Sequence, residues 1–175
     1  GVERRRRVAL DRRDGDEARP LRVLYLTGPA GPGDVLGGWL GVLSRELSRR
    51  GHEVAVAVPD GADFDESDWG AGAVLRVAPF GDRPRLSSLR EVRALLRRGG
   101  YDVVHTVGGA VLDHLYPATF FLRECPPVVH THDAAAPLGG LRGFALRGGR
   151  VRRIVVGTAA ERDALVRRGR VPRRK

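Results

Sequence analysis

Leu21-Arg22-Val23-Leu24-Tyr25-Leu26-Thr27, followed at once by Gly28-Pro29-Ala30-Gly31-Pro32-Gly33, decides how the chain folds. The first seven residues are apolar almost without interruption and include β-branched and aromatic members. That pattern describes a buried strand. The glycine- and proline-rich run breaks it sharply. Asp34 can cap the next element, because its carboxylate accepts from free backbone N–H groups. Val35, Leu36, Trp39, Leu40, Leu43 and Leu47 then recur at helical spacing. Arg49 and Arg50 suit a helix C-terminus, and Gly51 ends it.

The same alternation runs outward from this unit. Residues 53–58 form a second apolar run, stopped by Pro59-Asp60-Gly61, and residues 61–72 are acidic and loop-like. Residues 73–77 are a third strand. A helix is expected to start at Ser87 or Ser88, with Leu89, Val92, Leu95 and Leu96 on one face and Gly99-Gly100 at its end. Residues 102–105 are a fourth strand. Residues 109–122 look helical, with Pro117 kinking or shortening the run. Strands over 127–131 and 153–156 bracket a weak helix over 138–147. Thr158 precedes a last helix that Gly169 ends. Trp39 is expected in the core and Trp69 in loop packing. Strands that alternate with helices and read as continuous apolar runs point to an α/β fold. The expected architecture is a Rossmann-like, doubly wound, mainly parallel sheet of six or seven strands. Ligands then bind at the strands' C-terminal ends, in the loops after Thr27, Val58, His105, Thr131 and Val156.

Composition sets the outer limits. The chain has 175 residues, 42% hydrophobic and 30% charged, which is globular. Cys125 is the single cysteine, so no intrachain disulfide framework exists. That fits a reducing, cytoplasmic setting. No apolar run reaches the roughly 18 residues of a membrane-spanning helix. An eight-fold barrel needs about 250 residues and does not fit. The net charge of +10 is uneven. Residues 142–175 hold eleven Arg and Lys175 against Glu161 and Asp163, while residues 20–141 are close to neutral. Such a block can face phosphates, including an anionic membrane surface. Lys175 is the only lysine, so a base-composition bias toward Arg explains the block as well. No aromatic residue lies beyond Phe144, so base stacking is poorly served and no nucleic-acid partner is expected.

Several site motifs can be tested against the loops. Gly28 and Gly33 have Walker A spacing, but Asp34-Val35 replace the Lys-Ser/Thr pair, which rejects an NTPase. A dinucleotide fingerprint would read Gly31-x-Gly33-x-x-Gly, but position 36 is Leu. Asp60 could still hold a ribose, so a dinucleotide remains an alternative. His130-Thr131-His132-Asp133 places two histidines at a strand end, where a metal could be ligated. The sequence does not continue as His-x-His-x-Asp-His, so no metal is expected. His130 alternates inward with Val128, whereas His132 lies just past the strand. His105 ends the fourth strand, and Gly108-Gly109 follow it. There is no Gly-x-Ser-x-Gly elbow, and Cys125 has no histidine at catalytic spacing.

Taken in order, five segments resemble a known family. These are residues 21–26, Gly37-Gly38 with residues 43–54, Tyr101-Asp102-Val103-Val104-His105, Val128-Val129-His130-Thr131-His132-Asp133, and Ile154-Val155-Val156-Gly157-Thr158-Ala159-Ala160-Glu161-Arg162. The run is similar to the N-terminal domain of retaining, nucleotide-sugar-dependent glycosyltransferases of family 4, which have the GT-B fold. The resemblance implies one half of such an enzyme, of hexosyltransferase type and mainly binding the acceptor. It implies that His132 contacts the donor sugar as the catalytic residue, and that Gly37 and Gly38 approach the donor diphosphate. Gly157 and Thr158 would line the cleft, with His105, Gly108, Gly109 and Asp133 on its acceptor side. The nucleotide sugar would be a substrate, with no cofactor bound in this domain. The family's Glu, seven residues, Glu motif belongs to a C-terminal domain and is not in this chain. Residues 1–20 are accordingly expected as a basic, disordered leader, 21–170 as the domain, and 171–175 as the start of an interdomain linker. The partner is then a nucleotide-sugar-binding domain on the same or a separate chain. The alternatives are a non-catalytic module of a split enzyme and a basic module at the inner membrane face.

Overall fold

The computed structural model describes residues 19–28, 35–62, 69, 72–77, 80, 84–120, 122–132 and 138–175. Expectations about residues 1–18, Gly31, Gly33, Asp34 and Asp133 lie outside these. The elements run β1 (Arg22–Thr27), α1 (Val35–Arg49), β2 (Glu53–Pro59), β3 (Ala73–Val77), α2 (Leu86–Arg98) and β4 (Val103–Val107). They continue α3 (Gly109–Ala118), β5 (Val128–Thr131), α4 (Gly140–Arg147), β6 (Val151–Val155) and α5 (Ala159–Arg167).

The apolar runs become one six-stranded sheet in the order β3-β2-β1-β4-β5-β6, with every neighbouring pair parallel. This is the doubly wound Rossmann-like arrangement. Buried parallel strands need cover on both faces, which is why they lack the alternation of a half-wet sheet. Period-two side-chain geometry sorts the residues between two cores. Val23, Tyr25, Val54, Val56, Val58 and Val107 pack with Leu40 of α1 and with Trp69. Leu24, Leu26, Ala55, Ala57, Val104 and Val128 point the other way. They meet Val92 and Leu96 of α2, Val111, Leu112 and Leu115 of α3, and Ala145 and Leu146 of α4.

Three local expectations change. Trp39 is 43% exposed rather than in the core. Helical spacing puts it beside Leu40 in sequence, but Leu40 takes the buried face. The second helix begins at Leu86, with Arg85 as its N-cap residue and no side-chain cap. Ser88 lies inside the first turn, and its hydroxyl donates to Arg85 O at 2.9 Å. The third helix stops at Ala118, so Pro117 falls in its last turn, where the i−4 hydrogen bond it deletes is one of few remaining.

The basic C-terminal segment folds against the sheet edge. Val171 is buried, Ile154 N donates to Lys175 O at 2.9 Å, and Lys175 Nζ donates to Leu146 O at 3.0 Å and to Gly148 O. A cation at those carbonyls opposes the partial negative charge of the α4 C-terminus. Arg19, at the other end, is ion-paired with Asp102.

Helix α4 turns tightly over its own entry. A Cβ at Gly143 would overlap Leu138 O, a backbone atom that cannot swing away. Gly143→Ala is therefore expected to destabilise the domain by about 1–3 kcal/mol, the usual range for overpacking. A urea midpoint equal to that of the parent chain would show that the helix shifts freely.

Candidate functional site

In a sheet wound this way the chain reverses direction between β1 and β4, and the loops there part to leave a crevice at the strands' carboxyl ends. Thr27-Gly28 leave β1, Gly108-Gly109 leave β4, His132 leaves β5, and Gly157-Thr158 follow β6. Of the expected site residues, His105, Gly108, Gly109, His132, Gly157 and Thr158 come from β4, β5, β6 and their exits. Gly37 and Gly38 lie in the first turn of α1.

The register explains how the histidines are divided. His105 pairs with Tyr25 and Val129, whereas His130 pairs with Thr106. His105 therefore points to the α1 side and His130 to the opposite side. The His105 ring lies 5.1 Å from Tyr25 and edge-on to Trp39 at 6.3 Å. Its Nε2 shares a 2.8 Å hydrogen bond with Thr131 Oγ1. His130 is fully buried and shares a 2.9 Å hydrogen bond between its Nδ1 and Thr106 Oγ1. Its Nε2 has no hydrogen-bond partner among the described residues. The His132 ring is 6.0 Å from that of His130, and its backbone N–H is fixed to Val155 O at 2.9 Å. His132 is only 7% exposed.

Burial also sets the charge of this cluster. Desolvation lowers His105 from 6.5 to about 4. It lowers His130 to about 3, with the neighbouring His132, His105 and Arg142 charges acting in the same direction. Both imidazoles are neutral near pH 7, so they offer hydrogen bonds rather than positive charge. Among the described residues no group of three or more His, Cys, Asp or Glu is placed to hold a metal ion.

The glycines differ in their reasons. Gly108 has φ of 84°, which a side chain would strain. The Cβ position of Gly109 is occupied by the Arg142 guanidinium. Gly38 has nothing within 4 Å of its Cβ position, so packing within the described residues does not require glycine there. Arg142 is a residue that sequence reasoning missed. Its Nη2 pairs with Asp113 Oδ2 at 2.6 Å, and both side chains are largely buried. One arginine in so arginine-rich a chain carries no signal of its own; only the fold brings α4 across the start of α3.

Gly157 and Thr158 open α5 through a reciprocal cap. Thr158 Oγ1 accepts from Glu161 N at 3.1 Å, while Glu161 Oε2 accepts from Gly157 N at 2.8 Å and Thr158 N at 3.3 Å. The Thr-x-x-Glu spacing is the sequence signature of this capping box. The carboxylate thus occupies the N–H groups that an anion would otherwise meet. Thr158→Ala is expected to cost about 1 kcal/mol in urea unfolding, and Thr158→Ser to retain most of it. Equal losses for both variants would show that the methyl group, not the hydroxyl, matters.

The Rossmann-like sheet presents its open loops at the carboxyl ends of its strands, where ligands bind in this class of fold. Residues 40–175 match the family model described as Glycosyltransferase Family 4, and the chain belongs to that family. Among solved structures, the chain is similar to a glycosyltransferase from Rickettsia africae, at 13% identity and TM-score 0.64, covering 89% of this chain and 41% of that one. It is similar to a putative UDP-N-acetylglucosamine 2-epimerase from Listeria monocytogenes, at 10% identity and TM-score 0.63, covering 89% and 44%. It is also similar to Anabaena Alr3699/HepE in complex with UDP, at 17% identity and TM-score 0.58, covering 87% and 42%. At these identities the likeness concerns the fold, which is one half of the GT-B architecture. The chain spans about two-fifths of each of these proteins. No curated protein matches it.

Proposed function

We propose that this chain is the acceptor-binding half of a retaining, nucleotide-sugar-dependent glycosyltransferase of hexosyltransferase type, inactive without a nucleotide-sugar-binding half. The observation that carries the proposal is the family match over residues 40–175. The grouping of His105, Gly108, Gly109, His132, Gly157 and Thr158 at one end of the sheet supports it. In this reading His132 meets the donor sugar near the reacting carbon. Gly37 and Gly38 admit the diphosphate closely, which agrees with the open space at Gly38. His105, Gly108, Gly109 and Asp133 serve the acceptor, and Gly157 and Thr158 line the cleft. The nucleotide sugar is a substrate, and neither metal nor cofactor takes part.

The missing half can follow on the same chain or come from a second one. The protein works in the cytoplasm, with its basic C-terminal fifth against an anionic membrane surface.

The test begins with the DNA immediately downstream of Lys175. A frame that continues into a second β-α domain bearing Glu, seven residues, Glu supports one enzyme, and a neighbouring gene for that domain supports a split one. Release of nucleoside diphosphate from sugar nucleotides is then measured with the two halves together and with this chain alone. Transfer only with both halves is the expected result; transfer by this chain alone would refute the division of labour.

A further inference from the structure

Two exposed phenylalanines, one just past α3 and one on α4, form one surface. Phe120, just past α3, is 42% exposed, and Phe144 of α4 is 57% exposed. Both rings pack edge-on against the same buried Tyr116, at 5.3 and 5.9 Å. Leu141, 37% exposed, lies one turn before Phe144 on α4, and exposed Arg147 lies one turn after it. This stripe is apolar at its start and basic at its end.

The surroundings are basic. Arg123 is exposed three residues after Phe120. Arg150 reaches back to donate to Leu122 O at 3.1 Å, which holds its guanidinium beside the loop that leaves α3. Arg147 donates to Gly169 O at 3.3 Å. Helix α4 carries no acid, and the single acid of α3, Asp113, is paired with Arg142. Glu124 is the only acid in the described connection from α3 to β5. Apolar rings without a polar handle, rimmed by arginine, match the boundary between acyl chains and phosphate headgroups.

We propose that the α3–α4 face docks on an anionic lipid surface, with Phe120, Leu141 and Phe144 entering the acyl boundary and Arg123, Arg147 and Arg150 meeting phosphates. This rests on reading the basic C-terminal fifth as membrane-facing, and gives that reading an insertion point. None of these residues belongs to the proposed transfer site.

The test is flotation of the purified chain with vesicles of phosphatidylcholine alone, and of phosphatidylcholine mixed with phosphatidylglycerol. The expected result is binding to the mixed vesicles only, weakened by salt. Phe120→Ser with Phe144→Ser should reduce partition about tenfold or more. Leu86→Ser, on an exposed residue of α2, should change nothing, and circular dichroism confirms that each variant is folded. If mixed vesicles bind the double variant as well as the parent, the aromatic insertion falls while the basic-surface reading stands. If no vesicle binds at low salt, both fall. A size-exclusion shift without lipid, or binding of single-stranded DNA, that the phenylalanine pair abolishes would reassign the patch to a second copy or to nucleic acid and overturn the proposal.

Discussion

Acidification from neutral pH towards pH 4 is expected to unfold this domain, with the buried histidines as the main cause. His105 and His130 have folded pKa values lowered to about 4 and about 3, against 6.5 for a free imidazole. A depressed histidine contributes stability that is fully present above 6.5. The unfolded chain takes up these protons first as pH falls, so the contribution shrinks through the 6.5-to-4 window and on to about 3. A tenfold weaker hold on the proton in the folded state corresponds to about 1.4 kcal/mol, so His105 alone represents about 3 kcal/mol. His130 loses a comparable amount over the same window and goes on losing to about 3, and the sum rivals the ~5–15 kcal/mol that holds a typical domain folded. Urea midpoints followed by circular dichroism across this range should fall steeply. His130→Leu should flatten the curve from 6.5 down to about 3, since it removes both the titrating group and its unpartnered Nε2. A midpoint that holds steady to pH 4 would show that water reaches these rings.

On the function proposed above, His132→Ala in the assembled enzyme is expected to lower kcat by about 10²- to 10³-fold, the scale seen when one oriented transition-state contact is lost. KM for the nucleotide sugar should change much less, because the interaction is needed most as the sugar–phosphate bond breaks. His132→Gln should recover part of the rate if a hydrogen bond is what matters. The readout is nucleoside diphosphate released per unit time, with unchanged circular dichroism as the folding control. The backbone of His132 is tied to β6 through Val155 O, so the variant should keep the loop in place. An unchanged kcat would remove His132 from the chemistry.

The middle of the sheet was legible because its inner strands are buried on both faces. Residues 21–27, 53–58 and 127–131 are apolar runs between glycine and proline breaks, and each became a strand shifted by a residue or two at most. The α5 start was legible because Thr158 and Glu161 carry their own spacing signal. Trp39 was not, because a helical period tells which residues share a stripe but not where the stripe's edge meets solvent. The α2 start failed for a related reason: Arg85 takes the cap position on backbone geometry alone, with no side-chain bond to announce it. At the site, the strand end located His132, whereas His105, expected to end the fourth strand, lies in mid-strand because β4 continues through Thr106 to Val107. The contact of Arg142 with Gly109 spans 33 positions and two elements, so no local pattern encodes it.

Strand β1 sits in the middle of the sheet, yet among the described strands it precedes the other five in the chain. Its β2 side can close early, since Val23 pairs with Val54. Its β4 side must wait, since the same Val23 also pairs with Val103, eighty residues later. At ribosomal rates of about 5–20 residues per second, that edge stays bare for roughly 4–16 s. During this interval the nascent chain exposes a flat, apolar strand edge, the kind of surface on which wrong pairings start. Its yield in cells should therefore depend on chaperones that act during translation, more than the stability of the finished domain would suggest.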